Sequence, residues 1–184
     1  MEPCYRLLEC VPGMEGAKRA LDVAIAGKHS VLLIGYGGAR ALAEAAMKLV
    51  APQGEDALAL RVMAWPWCLC GGFGHPRMEC RCTVRMIQAH IRTRPTADIV
   101  VDCPDPTLRD MADRRNPQAP LREWNEELLG FLEQADRHIN LGYDGILAVA
   151  RVAESIRKLS GESTLHLEHV SEAIQYAPRF NKAK

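Results

Sequence analysis

The sequence predicts an α/β protein built on a parallel sheet, with a cysteine-rich insert and a helical C-terminal region. Three observations lead to this prediction. A short, continuous apolar run at 30–35, followed by glycines, is typical of a buried parallel strand. Two Cys-x-Cys pairs lie nine residues apart within 68–82. Three stretches with helical apolar spacing fill most of 120–178.

Helices and strands alternate along the first part of the chain, as a parallel sheet with crossover helices requires. An irregular or short-strand lead-in covers 1–13. Thr107 with Asp110 resembles a capping pair for a brief helix. A predicted boundary separates a core at 1–118, with its cysteine insert at 68–82, from a helical domain at 119–184. The predicted helices are 15–26, 40–50 and 83–91, then one from Pro120, one at 145–160 and one at 167–176, and the predicted strands are 30–35, 58–64 and 99–102.

The overall charge excludes a generally basic or acidic protein, because 23 basic and 23 acidic residues balance in 184. The charge is uneven, however: residues 65–94 carry five arginines against Glu79, whereas 95–184 carry eleven basic and fifteen acidic residues. No apolar run approaches the length of a membrane span, and the N-terminus lacks the features of a signal peptide. We therefore expect no membrane partner and a reducing cytoplasmic location.

The cysteine-rich stretch is the strongest chemical motif. Cys68, Cys70, Cys80 and Cys82 form two Cys-x-Cys pairs joined by a glycine- and proline-rich turn. Four thiolates brought together in this way favour a closed, structural zinc site. Two disulfides or four free thiols are the alternatives, and His75 could replace one cysteine.

A glycine-rich loop follows the first predicted strand. The order of strand, loop and helix is that of a phosphate-binding loop, so Gly35, Gly37, Gly38 and Arg40 are predicted to contact a nucleotide. The loop lacks the lysine and the Ser or Thr that hold phosphate and Mg²⁺ in such motifs, and Arg40 is the one cation there. A plain strand-to-helix turn is the alternative.

Several segments together resemble the magnesium-chelatase-like AAA+ ATPases, especially the ComM-type (YifB-like) competence proteins. The stretch 13–35 is similar to the helix and strand before their phosphate loop, and the cysteine stretch resembles their Cys-Pro-Cys-Gly…Cys-Arg-Cys-[Ser/Thr] insert. Residues 148–176 are similar to their C-terminal helical lid. The resemblance implies a reduced P-loop NTPase-like (AAA+) sheet, a zinc knuckle and a lid.

This chain departs from that family at the positions of catalysis. Residues 51–64 alone fill the space of a long middle portion that carries the acidic Walker B strand. The position of the family's sensor asparagine is occupied by Pro66. The arginine of the family's Ser-Gly-Pro-Leu-Leu-Asp-Arg-Ile-Asp segment falls near Thr96 in this chain. The lid arginines fall near Leu141 and Gly145, although Arg151 remains. These losses predict a degenerate relative without ATP hydrolysis, because phosphoryl transfer depends on positioned cations and Mg²⁺.

What remains predicts a binding or assembly module that holds structural zinc. The full-length relatives are thought to work on DNA, so the arginines near the cysteines are candidate phosphate contacts; a solvated face is the alternative. The retained lid would suit a homo-oligomer or a partner in an AAA+ ring. A weak ATP-binding protein or ATPase that uses Arg40 and Mg²⁺ is the alternative function. The candidate DNA contacts are Arg77, Arg81, Arg85, Arg92 and Arg94.

Overall fold

A computed structural model describes residues 6–50, 61–73 and 79–177. The chain forms two compact units that divide between Pro106 and Thr107. The sequence places the boundary at 118/119 instead, but Met111 is fully buried and its carbonyl oxygen accepts from the Leu121 N–H at 2.9 Å, so 107–118 fold with the second unit. That the units are an AAA+ core and a lid stays a prediction.

The first unit is organised around a parallel three-stranded sheet, as predicted. Its strands are β1 (Val31–Gly35), β2 (Val62–Trp65) and β3 (Ile99–Cys103), in the order β2-β1-β3. Val31 pairs with Val62 on one side and with Ile99 on the other. The central β1 is buried along its whole length, which explains its unbroken apolar sequence. The predicted start of β2 at 58–60 lies outside the described residues.

Among the described residues of this unit, four helices accompany the sheet: α1 (Arg6–Glu9), α2 (Glu15–Gly27), α3 (Gly37–Val50) and α4 (Val84–Arg92). Helix α2 packs on β1 and β3, and α3 packs on β1 and β2. Within the described part of the lead-in, Arg6–Glu9 form a helical turn, where the prediction of irregular or extended chain is wrong, whereas residues 10–13 are irregular, as predicted. Leu8 is buried in α1, which contacts α3, so tertiary packing stabilises a turn that local sequence does not indicate.

The second unit contains α5 (Leu108–Met111), α6 (Glu126–Ile139), α7 (Gly142–Leu159) and α8 (Leu167–Tyr176), and its three long helices pack on one another. The predicted Thr107–Asp110 cap is confirmed. Helix α6 does not begin at Pro120. Turns occupy 120–123, and the Asn125 side chain accepts from the Leu128 N–H at 2.9 Å, which fixes the first turn of α6.

Helix α7 begins three residues earlier than predicted. The N–H of Gly142 donates to a carboxylate oxygen of Asp136 at 3.1 Å, and Asp136 is fully buried. Within the described part of the chain, no helix is both long enough and apolar enough to cross a membrane.

Candidate metal centre and the glycine-rich loop

The two Cys-x-Cys pairs meet in space. The Sγ of Cys68 lies 3.5 Å from that of Cys70 and 3.7 Å from that of Cys80, and the Cys70–Cys80 separation is also 3.7 Å. The Sγ of Cys82 completes the cluster, and the four sulfur atoms lie within 4.8 Å of one another. A tetrahedral site with zinc–sulfur bonds of about 2.3 Å separates its sulfurs by about 3.8 Å, whereas a disulfide needs about 2.05 Å. The spacing therefore fits four thiolates around one metal ion.

Two glycines bring the pairs this close. Gly71 has a φ of 75°, which a residue with a side chain rarely adopts. A Cβ on Gly72 would lie 2.5 Å from the carbonyl oxygen of Glu79 and 2.8 Å from the Cα of Cys80. The absence of a side chain at Gly72 is what lets the first Cys-x-Cys turn lie directly against the second.

Backbone N–H groups point at the sulfurs. Cys70 Sγ accepts from the N–H of Gly72 at 3.5 Å and of Arg81 at 3.3 Å. Cys68 Sγ accepts from the N–H of Phe73 at 3.2 Å. Such bonds stabilise negative charge on sulfur and orient each ligand, as the outer contacts of metal sites do.

The thiols differ in how readily they ionise. The N–H groups of Gly72 and Arg81 lower the pKa of Cys70 to about 6. The N–H of Cys82 also favours the Cys80 thiolate, but desolvation and the neighbouring Cys68 and Cys70 raise the pKa of Cys80 to about 12. Four thiolates in contact repel one another without a cation, so the cluster has the electrostatics of a cation site.

Tyr36 joins the cysteine cluster to the sheet. It is the single residue between β1 and α3, and its hydroxyl donates to the Phe73 carbonyl oxygen. Burial, followed by the negative charges of Cys68 and Asp105, raises the pKa of Tyr36 to about 12. Phe73 is therefore held on both sides, by Tyr36 through its carbonyl and by Cys68 through its N–H.

Helix α4 follows the second cysteine pair and is attached through His90. The Nε2 of this buried side chain lies 2.9 Å from the Pro66 carbonyl oxygen, and its ring stacks on Trp65 with centroids 4.8 Å apart. Two of the apolar side chains of α4 are exposed, Val84 by 70% and Ile91 by 52%.

The described candidate arginines are exposed around this helix. Arg85 and Arg92 are seven residues apart on α4 and so share one side of it, and Arg94 follows the helix. None of these three forms an ion pair with a carboxylate in the described parts of the chain. Arg81 is exposed beside the candidate ligands Cys80 and Cys82, and Arg77, like His75, lies outside the described residues.

The glycine-rich loop is shorter than the sequence indicates. Gly35 ends β1 and Gly37 begins α3, three residues before the predicted helix start. The N–H of Gly38 donates to Oδ1 of Asp105 at 2.8 Å. Arg40 is exposed on the first turn of α3. The assignment of Gly35, Gly37, Gly38 and Arg40 to a nucleotide stays a prediction.

A separate cleft of about 820 Å³ lies in the second unit, between α5 and α6. Its lining mixes arginines with carboxylates, and Arg115 is held by Asp113 through two bonds of 3.0 Å. The two signs of charge are interspersed there, so the cleft does not favour an anion or a cation.

Sequence reasoning missed the residues that hold the cysteine cluster and the loop in place. Asp105 lies between Pro104 and Pro106, a pattern that is typical of a turn and does not indicate a contact with a distant helix. Tyr36 lies within the predicted glycine-rich loop, and the one available signal is its position directly after a buried strand, where functional side chains collect in parallel sheets. Nothing local indicates the role of His90, because its partners Trp65 and Pro66 precede the cysteine stretch.

Comparison with known families identifies one segment. Residues 7–64 match the family described as magnesium chelatase, subunit ChlI. The matched segment contains β1 and the glycine-rich loop, and it supports the predicted magnesium-chelatase-like family. The narrower ComM type stays a prediction. No curated protein and no solved structure matches the chain.

Proposed function

We propose that this magnesium-chelatase-like chain is a zinc-stabilised binding module that does not hydrolyse ATP and that contacts DNA through the arginines around its cysteine cluster. One observation carries the proposal. Four sulfurs at metal-binding separations lie directly before α4, whose arginines are exposed and without a carboxylate partner in the described parts.

Zinc is the metal that the ligands favour. Thiolates are soft ligands, and a closed set of four leaves no open position for chemistry, which is typical of structural zinc. The N–H···S bonds support the ligands from the backbone. Zinc here would fix the Arg81 backbone and the start of α4, so metal binding and the arginine surface belong to one structural element.

DNA is the partner that the arginine surface favours. Each exposed cation can neutralise one backbone phosphate and release its counterion. Arg85 and Arg92 would track one side of the helix, with Arg81 and Arg94 at its two ends. A net charge of zero for the whole chain means that such binding would be local to this surface.

ATP hydrolysis is excluded from the proposal for chemical reasons. Helix α3 begins Gly-Gly-Ala-Arg-Ala and so lacks both the lysine and the hydroxyl side chain that hold phosphate and Mg²⁺ in phosphate-binding loops. Release of phosphate from ATP by the purified chain, abolished by Arg40→Ala, would contradict this part.

The zinc part is tested by metal analysis of the purified protein. We expect one zinc per chain, lost in Cys70→Ser and Cys80→Ser but retained in Cys10→Ser, because Cys10 is exposed and outside the cluster. Substitution with Co²⁺ should give the intense thiolate-to-metal absorption of a tetrahedral four-sulfur site. Full metal content in the two cluster variants would refute the assignment.

The DNA part is tested by fluorescence anisotropy with a labelled duplex over a range of salt concentrations. The slope of log K against log salt should become shallower by about 0.9 for each phosphate contact removed in Arg85→Glu and Arg92→Glu. Arg151→Glu is the matched control, an exposed arginine on α7. Binding that is absent, or equally reduced in the control, would sink the idea.

A further inference from the structure

The N-terminus of α3 already holds an anion. A 14-residue helix presents unpaired backbone N–H groups and positive potential at its first turn, which is where a phosphate would bind. In this chain the N–H of Gly38 donates to Asp105 Oδ1 at 2.8 Å. The carboxylate supplies both the acceptor atom and the negative charge that this terminus favours.

The sheet topology explains how Asp105 reaches that position. Strands β1 and β3 are parallel neighbours, with Gly35 paired to Cys103. The segments that follow β1 and β3 therefore leave the sheet side by side, at the same end of the strands. Two residues beyond Cys103, Asp105 meets the first turn of α3 at Gly38. The contact follows from strand pairing between segments distant in sequence.

Gly35 and Gly38 allow the segment that follows β1 to pack closely against the segment that follows β3. A Cβ on Gly35 would lie 2.1 Å from the Cys103 carbonyl oxygen. A Cβ on Gly38 would lie 2.7 Å from Pro106 Cδ and 3.1 Å from Asp105 Oδ1. Glycine is therefore required at both positions by the chain that leaves β3, whether or not a phosphate ever approaches.

We infer that Asp105 is a built-in anion that closes the α3 N-terminus to phosphate, so that the glycine-rich loop joins β1, β3 and the cysteine cluster instead of holding a nucleotide. A phosphate at Gly38 would have to displace the carboxylate, and it would meet like charge if the carboxylate stayed nearby. The inference deepens the non-hydrolysing part of the proposed function and rests on neither zinc nor DNA.

The test compares the wild-type protein as purified with Asp105→Ala and Asp105→Asn, using inorganic phosphate and ATP–Mg²⁺ as probes in isothermal titration. We expect no saturable heat from the wild type at millimolar probe. Asp105→Ala should bind phosphate at least about tenfold more tightly than the wild type, a factor that corresponds to about 1.4 kcal/mol. Phosphate should also raise the Tm of that variant and not of the wild type.

A control and a second variant keep the test decisive. Asp102→Asn changes an exposed carboxylate of β3 and should behave as the wild type. If Asp105→Ala does not fold, Asp105→Asn removes the charge at nearly constant shape, and phosphate should then shift its Gly38 amide resonance. Phosphate binding by the wild type, or a folded Asp105 variant that gains none, would overturn the inference. Neither result would bear on DNA binding, so the two proposals fail separately.

Discussion

The hydroxyl of Tyr36 donates to the main-chain carbonyl of Phe73, across 37 residues of sequence. Tyr36 leads from β1 into α3, and the N–H of Phe73 donates to Cys68 Sγ. A candidate metal ligand, Cys68, and the residue that follows the central strand, Tyr36, are thus linked by two hydrogen bonds. The cysteine cluster is consequently part of the sheet structure and not a separate appendage.

Removing the Tyr36 hydroxyl should weaken the connection between the cysteine cluster and the sheet. We expect Tyr36→Phe to lower the free energy of unfolding of the zinc-loaded protein by about 1 kcal/mol, the usual net value of one hydrogen bond. Urea unfolding followed by tryptophan fluorescence measures it. The control is Tyr176→Phe, whose exposed hydroxyl bonds Glu172 at 3.2 Å on α8 and should matter little. Equal effects of the two substitutions would contradict the role of Tyr36.

The phenol of Tyr36 should also ionise at an unusually high pH. Its pKa is raised from 10.0 to about 12, whereas the unfolded chain loses this proton near the ordinary value. The folded state therefore holds the proton more tightly, and the stability that this provides falls as pH rises from about 10 toward 12. Phenolate absorbance of the wild type minus that of Tyr36→Phe should give a midpoint near 12. A midpoint near 10 would show that Tyr36 is solvated.

Gly72 should tolerate no side chain. In Gly72→Ala the new Cβ would meet backbone atoms of Glu79 and Cys80 at 2.5–2.8 Å, and backbone cannot move aside as a flexible side chain can. We expect zinc affinity to fall at least about tenfold, equivalent to about 1.4 kcal/mol, measured by competition with a chelating dye. Gly16→Ala on α2 is the control, because nothing lies within 4 Å of its Cβ position. That variant should keep zinc and gain about 0.5–1 kcal/mol of stability. Unchanged zinc affinity in Gly72→Ala would mean that the two cysteine turns are not in contact.

Removal of the metal should expose one cysteine to alkylation before the others. Because the N–H groups of Gly72 and Arg81 lower the pKa of Cys70 to about 6, its thiolate is present at neutral pH, while the pKa of Cys80 is raised. After chelation, iodoacetamide should modify Cys70 first, with a rate that rises through about pH 6, and zinc should protect it. Mass spectrometry identifies the modified residue. A fast phase that persists in Cys70→Ser would refute this order.

The sequence pattern correctly predicted those elements that are determined by residues close together in the sequence. The unbroken apolar run of β1, the Thr107 cap of α5 and the bounds of α8 are all decided by residues within a few positions. The cysteine cluster belongs here too, since two short pairs with glycines between them have few ways to meet. The spacing predicted the candidate ligands, and the structure brings their sulfurs to separations that suit a metal ion.

What local pattern missed depends on contacts between distant segments. The first turn of α3, which begins at Gly37, donates the Gly38 N–H to Asp105, a residue that follows β3, the strand paired with β1 from a distant part of the sequence. Similarly, the exposure of Val84 and Ile91 depends on which elements pack against α4, and periodicity alone cannot decide this. The α6 start was predicted at a proline, whereas a nearby asparagine side chain provided the actual cap.

The order of the strands has a consequence for how the protein matures. The central strand is made first, but its outer partner β3 is made last, after the cysteine cluster has left the ribosome. Pairing of segments so far apart in sequence is slow, because the entropy cost of closing a long loop comes before the strand contacts that stabilise it. A metal captured by the nascent cysteines would shorten that loop in advance. The zinc supply during synthesis would therefore set the yield of folded protein, beyond any effect on its final stability.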